Sequence, residues 1–302
     1  MSFKHRGVLI TMNNYLEVFK DYEPDIIDEI RSAVLDDTPI SPFIKQCKTD
    51  SYKLGQFRMA LREYLPKEFL NKKLSGRCIY LLRQCYRDGV DMSPILRYLK
   101  GSLKIENESL EKVIKVVLLG GDISKTDFTL VPKDNVDIIC EGLIKKYPMW
   151  LCVNTEGYLT ESFIRQLMKG MELQVDIHPF LNGKWSEESL VFILSNARVI
   201  NINELLEYVN YKFTLEQLGI IIDLASDGLG DYTLLCLQDE DGSPAFNFYQ
   251  MDVLSKAIRD DVLCEDMYNP SLNDMDMNDM YESLLEKKML EHKPVLRGQL
   301  KK

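Results

Sequence analysis

Apolar residues recur along this chain with a helical period. In 75–88, Cys78, Leu81, Leu82 and Cys85 stand at i, i+3, i+4 and i+7, a single stripe. Arg83, Gln84, Arg87 and Asp88 fall largely off it. Gly89 then allows a left-handed helix cap, Asp91 or Ser93 can cap the next segment, and Pro94 suits its first turn. The same order of amphipathic helix, Gly/Asp turn and short apolar segment returns in 24–47, 109–128, 160–181, 186–209, 214–235 and 249–270. Degenerate copies lie in 54–70 and 135–154.

The turn carries Asp91, Asp122, Asp176, Asn203, Asp231 and Asp261, spaced 26–31 residues apart with one double step. Ser186 is an expected N-cap with Ser189 at the third helical position, and Thr214 with Gln217 has capping-box spacing. The β-branched runs 113–119 and 218–224 would suit strands in isolation, but their place in the repeat predicts buried helices. One helix pair cannot bury its own apolar face, whereas a stack can. The predicted fold is all-α, a helical-hairpin repeat solenoid. Residues 1–23 would form an N-terminal cap and 24–270 the tandem repeats, with a break near 145–158. Residues 271–302 would form a capping helix and basic tail.

Charge changes this picture locally. The net charge is -10. Residues 239–282 hold 12 acidic and 2 basic side chains, while 283–302 hold 2 acidic and 6 basic. Asp260, Asp261, Glu265, Asp266, Asp274, Asp276 and Asp279 form a candidate acidic face for a basic protein partner. The opposite bias appears in 45–77, where Lys45, Lys48, Lys53, Arg58, Arg62, Lys67, Lys72, Lys73 and Arg77 interleave with Tyr52, Phe57, Tyr64 and Phe69. That segment is the alternative, a phosphate-tracking nucleic-acid face. Basic early and acidic late, the chain also allows head-to-tail self-association.

The residues offer little catalytic chemistry. His5, His178 and His292 are scattered, and HExxH, HxH and GxSxG are absent from the sequence. The seven cysteines, Cys47, Cys78, Cys85, Cys140, Cys152, Cys236 and Cys264, contain no CxxC pair and read as core residues of a reducing compartment. The glycines of 118–124 and 227–232 lack P-loop spacing, and Asp239, Asp241 and Gly242 miss the EF-hand register. Trp150 is expected in the core at a break, and Trp185 as a hydrophobic staple or an exposed anchor. Met277, Met280 and Leu284 form a stripe for terminal packing or partner contact. The expectation is a cytoplasmic, non-catalytic protein with no metal, cofactor or membrane span.

The stretch 249–282 resembles a tandem repeat of Gram-positive gut bacteria and their mobile elements, running roughly QM..IR.GL..GLDV..YA.P.F...QM. Gln250-Met251, Ile258-Arg259, Val262, Tyr268, Pro270 and Met280 carry the resemblance, with Arg165 and Gln217 in earlier copies. Some anti-defence proteins of phages and mobile elements are acidic helical proteins of this general kind. The resemblance therefore implies an anti-CRISPR-like inhibitor that occludes a basic, nucleic-acid-handling partner such as a defence nuclease or ribonucleoprotein.

Overall fold

A computed structural model describes residues 2–100, 103–153, 155 and 157–291. The chain is mostly helical and divides into two compact units, 1–154 and 155–302. In the first unit the long helices are α1 (Pro24–Leu35), α2 (Ser51–Arg62), α3 (Gly76–Arg87), α4 (Asn107–Leu118) and α5 (Val136–Ile144). In the second they are α6 (Glu161–Glu172), α7 (Glu187–Ser195), α8 (Leu215–Ser226), α9 (Phe248–Arg259) and α10 (Asp274–Glu291). Within each unit every long helix packs against the next one along the chain.

The apolar stripes explain this packing. Cys78, Leu81, Leu82 and Cys85 of α3 are all buried, and the runs at 113–118 and 218–224 are helical. Twelve-residue helices are marginal alone, so their stability comes from neighbours. Neighbours lie with their N-termini together. Ser75 donates its backbone N–H to Asn107 at 2.8 Å, joining the starts of α3 and α4. Asn247 donates to Asp274 at 2.9 Å, joining the starts of α9 and α10. At the other end Tyr281 of α10 donates its hydroxyl to Asp260, just past α9, at 2.6 Å.

The segments 41–47 and 93–99 are about two turns long, but in most hairpins the expected second helix shrinks to about one turn. Such turns occupy Lys67–Phe69, His178–Phe180, Ile202–Leu205, Tyr232–Leu235 and Glu265–Tyr268. The cause is local. The Asp176 carboxylate accepts from the His178 N–H at 3.0 Å and the Asn182 amide from the Lys184 N–H at 2.9 Å. These side-chain turns leave only a few residues between them to coil.

Both helix ends follow a rule. Asp50, Ser75, Thr160, Ser186, Thr214 and Asn247 each accept a backbone N–H at their helix start, and Thr214/Gln217 and Asn247/Gln250 close full capping boxes. Eight of the nine long helices whose C-terminal flank is described end in a left-handed residue: Asp37, Tyr64, Gly89, Gly120, Lys146, Gln174, Gly228 and Asp261. Each is followed by a long return bond, such as Val90 N–H to Cys85 O at 2.9 Å and Val175 N–H to Gly170 O at 2.9 Å.

Two features depart from expectation. Residues before α1 include a two-stranded antiparallel hairpin, β1 (Phe3–His5) and β2 (Val8–Ile10), turning at Arg6 and Gly7 with φ of 47° and 85°. Two successive positive φ values give the tight mirror-image turn that matches strand twist. Arg83, expected off the apolar stripe, is only 5% exposed. It forks onto Glu63 at 2.8 and 2.5 Å and onto Gln56 at 2.6 Å, tying α3 to α2.

Left-handed backbone costs a non-glycine residue about 1–2 kcal/mol, and a glycine gives part of that back through unfolded-state entropy. Tyr64→Gly, Lys146→Gly and Gln174→Gly are each expected to stabilise the protein by about 0.5–1 kcal/mol. Gly89→Ala should destabilise it by a similar amount. Urea unfolding of the four variants checks both signs.

Candidate protein-interaction surface

The seven acids of the expected face sit on three pieces of backbone. Asp260 and Asp261 follow the C-terminus of α9, Glu265 and Asp266 open the short turn Glu265–Tyr268, and Asp274, Asp276 and Asp279 lie in α10. Because α9 and α10 start together, Asp274 stands a helix length from the first group, about 18 Å for twelve residues, and Asp279 lies partway between.

Four of the seven already have internal partners. Asp260 accepts from Tyr281, and Asp261 pairs with Lys288 at 3.0 Å. The same ammonium caps the end of α9 through the carbonyls of Asp260 at 2.8 Å and Asp261 at 3.0 Å. Asp274 accepts from Asn247 at 2.9 Å, and Asp276 from the Asn273 amide at 2.7 Å. Asn273 in turn accepts the Asp276 N–H at 2.9 Å, so both carboxylates belong to the start of α10. Glu265, Asp266 and Asp279 are exposed.

The preceding repeat adds carboxylates that the acidic face omitted. Asp231, Asp239 and Glu240 are exposed. Burial pushes the Tyr268 hydroxyl up, and the charges of Asp231, Cys264 and Glu265 add to the shift, so adjacent return segments share one neighbourhood. The 227–246 and 260–273 segments contain no lysine or arginine. Among the described residues, three cations reach them from outside: Arg259 to Asp227 at 3.1 Å, Lys212 to Asp241 at 3.2 Å, and Lys288 to Asp261. The stretch 239–243 is a tight hairpin loop held by Lys212 and Asn210.

The basic 45–77 segment is divided. Arg58 pairs with Glu29 at 2.9 Å and with Asp36, and Arg62 lies 3.6 Å from Asp36. Lys48 stands over Tyr22 and Arg77 over Tyr80. Phe57 and Phe69 are core, whereas Tyr52 and Tyr64 are exposed. Lys45, Lys67, Lys72 and Lys73 are exposed and Lys53 is half-buried.

Other candidate groups resolve into structure. His5 is buried, 2.9 Å from the Ser41 hydroxyl and against Phe19, and burial lowers its pKa. His178 pairs with Asp176 at 2.6 Å, while His292 and the basic tail after Glu291 lie outside the described residues. Trp185 is buried, donating to Pro179 O at 3.0 Å and packing edge-on against Phe180, so it is not an exposed anchor. Trp150 is half-buried under Lys125. Gly120 and Gly228 are helix caps with φ of 81° and 74°. Among the described residues no cluster of three or more His, Cys, Asp or Glu could hold a metal, and no helix is long and apolar enough to cross a membrane.

Comparison of the chain with protein-family models, with curated proteins and with solved structures finds no match.

All seven cysteines are free. Burial pushes the thiols of Cys47, Cys78 and Cys85 up to about 11, and those of Cys140, Cys152 and Cys236 up to about 12. Only Cys264 is not buried. Native protein at mildly alkaline pH should therefore react with one equivalent of a thiol reagent in a fast phase, and peptide mapping should place it on Cys264. Fast labelling at several positions would contradict this assignment.

Proposed function

We propose that this protein is a non-catalytic protein-binding scaffold, its helices stacked as a solenoid, whose second unit holds a basic, nucleic-acid-handling protein. One observation carries the reading. Asp231, Asp239, Glu240, Glu265, Asp266 and Asp279 are exposed, and among the described residues none is ion-paired with a lysine or arginine. Unneutralised carboxylates in neighbouring repeats suit a partner that normally meets phosphates, and they steer its approach. The repeat resemblance extends the proposal to an anti-CRISPR-like inhibitor from a mobile element, acting in the cytoplasm on a defence nuclease or ribonucleoprotein. The nucleic-acid alternative through 45–77 has less support, because Arg58 is committed internally and two of its four aromatics are core.

Affinity capture from bacterial lysate at low and high salt, with retained proteins identified, tests the proposal. Wild type should hold a basic nucleic-acid-handling protein at low salt and release it at high salt. The Asp231→Lys/Glu265→Lys/Asp266→Lys variant should not retain it. These positions avoid Asp260 and Asp261, whose replacement would disturb the contact between α9 and α10. Unchanged retention by the variant would overturn the acidic-surface reading.

A further inference from the structure

The N-terminal ends of α8, α9 and α10 form an edge with its own chemistry. Side chains at the first two helical positions overhang that end, because Cα–Cβ bonds tilt towards the N-terminus. Those positions hold Leu215 in α8, Phe248 and Tyr249 in α9, and Met275 in α10. All four are exposed, Tyr249 at 66% and Met275 at 77%. A cleft of about 550 Å³ opens along this edge, lined by Phe246, Asn247, Pro270, Leu272 and Asp274. Its walls are fixed: Gln217 donates to Phe246 O at 2.9 Å, and Gln250 to Pro270 O at 3.0 Å and Leu272 O at 2.7 Å.

The edge is also negative. Glu216, Asp274, Asp276 and Asp279 lie on it or one turn below, and 213–219, 244–251 and 270–279 contain no lysine or arginine. Three helix N-termini contribute roughly half a positive charge each. About +1.5 set against four carboxylates leaves the edge acidic. Phe248, Tyr249 and Met275 stand exposed on the helix starts beside the cleft-lining Asn247 and Asp274, and aromatic and methionine side chains are residue types enriched at interfaces.

We propose that this edge is part of the docking surface. It seats an apolar anchor from a lysine- or arginine-rich segment of the partner, while the carboxylates hold the flanking cations. The proposal rests on the protein-binding reading above and adds a contact on helix ends to that of the acidic turn.

The probe is a fluorescein-labelled peptide of about sixteen residues repeating Lys-Lys-Leu-Leu, with a control in which serine replaces leucine. Anisotropy at low salt should show binding by wild type. The Phe248→Ser/Tyr249→Ser/Met275→Ser variant, checked for folding by circular dichroism, should lose at least tenfold in affinity. The serine peptide should lose as much on wild type. If the triple variant stays within twofold of wild type while Glu265→Lys/Asp266→Lys abolishes binding, the edge proposal falls and the acidic-surface reading stands. If wild type does not bind the peptide at all, both fall.

Discussion

Hydrogen bonds from a side chain in one repeat to the backbone of its neighbour set the register of the described fold. Gln217 and Gln250 show the device most fully. Each sits at the third position of its helix and closes the capping box behind it with its carbonyl oxygen. Each then donates its amide N–H across to the next repeat. One side chain thus satisfies a helix terminus and sets the register of its neighbour. In the first unit Asn107 does comparable work, accepting from Ser75 and donating to Lys73 O at 3.1 Å. At net values of about 1 kcal/mol each, such bonds do not replace apolar burial. They decide which helix packs where, because a slipped neighbour would leave buried carbonyls and amides unpaired.

The acidic character of the C-terminal region follows partly from this arrangement. Asp276 occupies in α10 the position that glutamine holds in α8 and α9. Its carboxylate accepts from the Asn273 side-chain amide and has no N–H to pass onward. Asp274 and Asp276 are therefore helix-start chemistry, and Asp260 and Asp261 are tied to Tyr281 and Lys288 at the far end. Asp274 and Asp276 keep their charge while bonded to the neutral amides of Asn247 and Asn273, and exposed aromatic and methionine side chains stand beside them at the helix starts.

Much of the helical organisation was legible in residue spacing. The stripe of α3, the Gly89 cap and the Thr214 box are local, and local chemistry determines them. The β-branched runs were readable as helices because the repeat placed them. The rest was hidden for nameable reasons. Arg83 looks solvated on a helical wheel, and only Glu63, twenty residues earlier, shows that it is buried. Tyr64, Lys146 and Gln174 occupy left-handed caps that the sequence does not announce with glycine. The one-turn return segments look like helix starts until their flanking Asx turns are seen to cut them short. The acidic face read as one patch because its residues are close in sequence, whereas parallel α9 and α10 place Asp274 a helix length from Asp260 and Asp261. The edge built on Phe248, Tyr249 and Met275 was missed because its members come from different repeats.

The central claim is that the second unit recognises a basic protein and not nucleic acid. The most direct measurement compares, for the intact protein, the binding of a labelled arginine-rich peptide with that of labelled single-stranded DNA and RNA, by anisotropy across a salt series. The account predicts salt-sensitive binding of the peptide and none of either nucleic acid. Binding of DNA or RNA with a steep salt dependence, and indifference to the peptide, would contradict it.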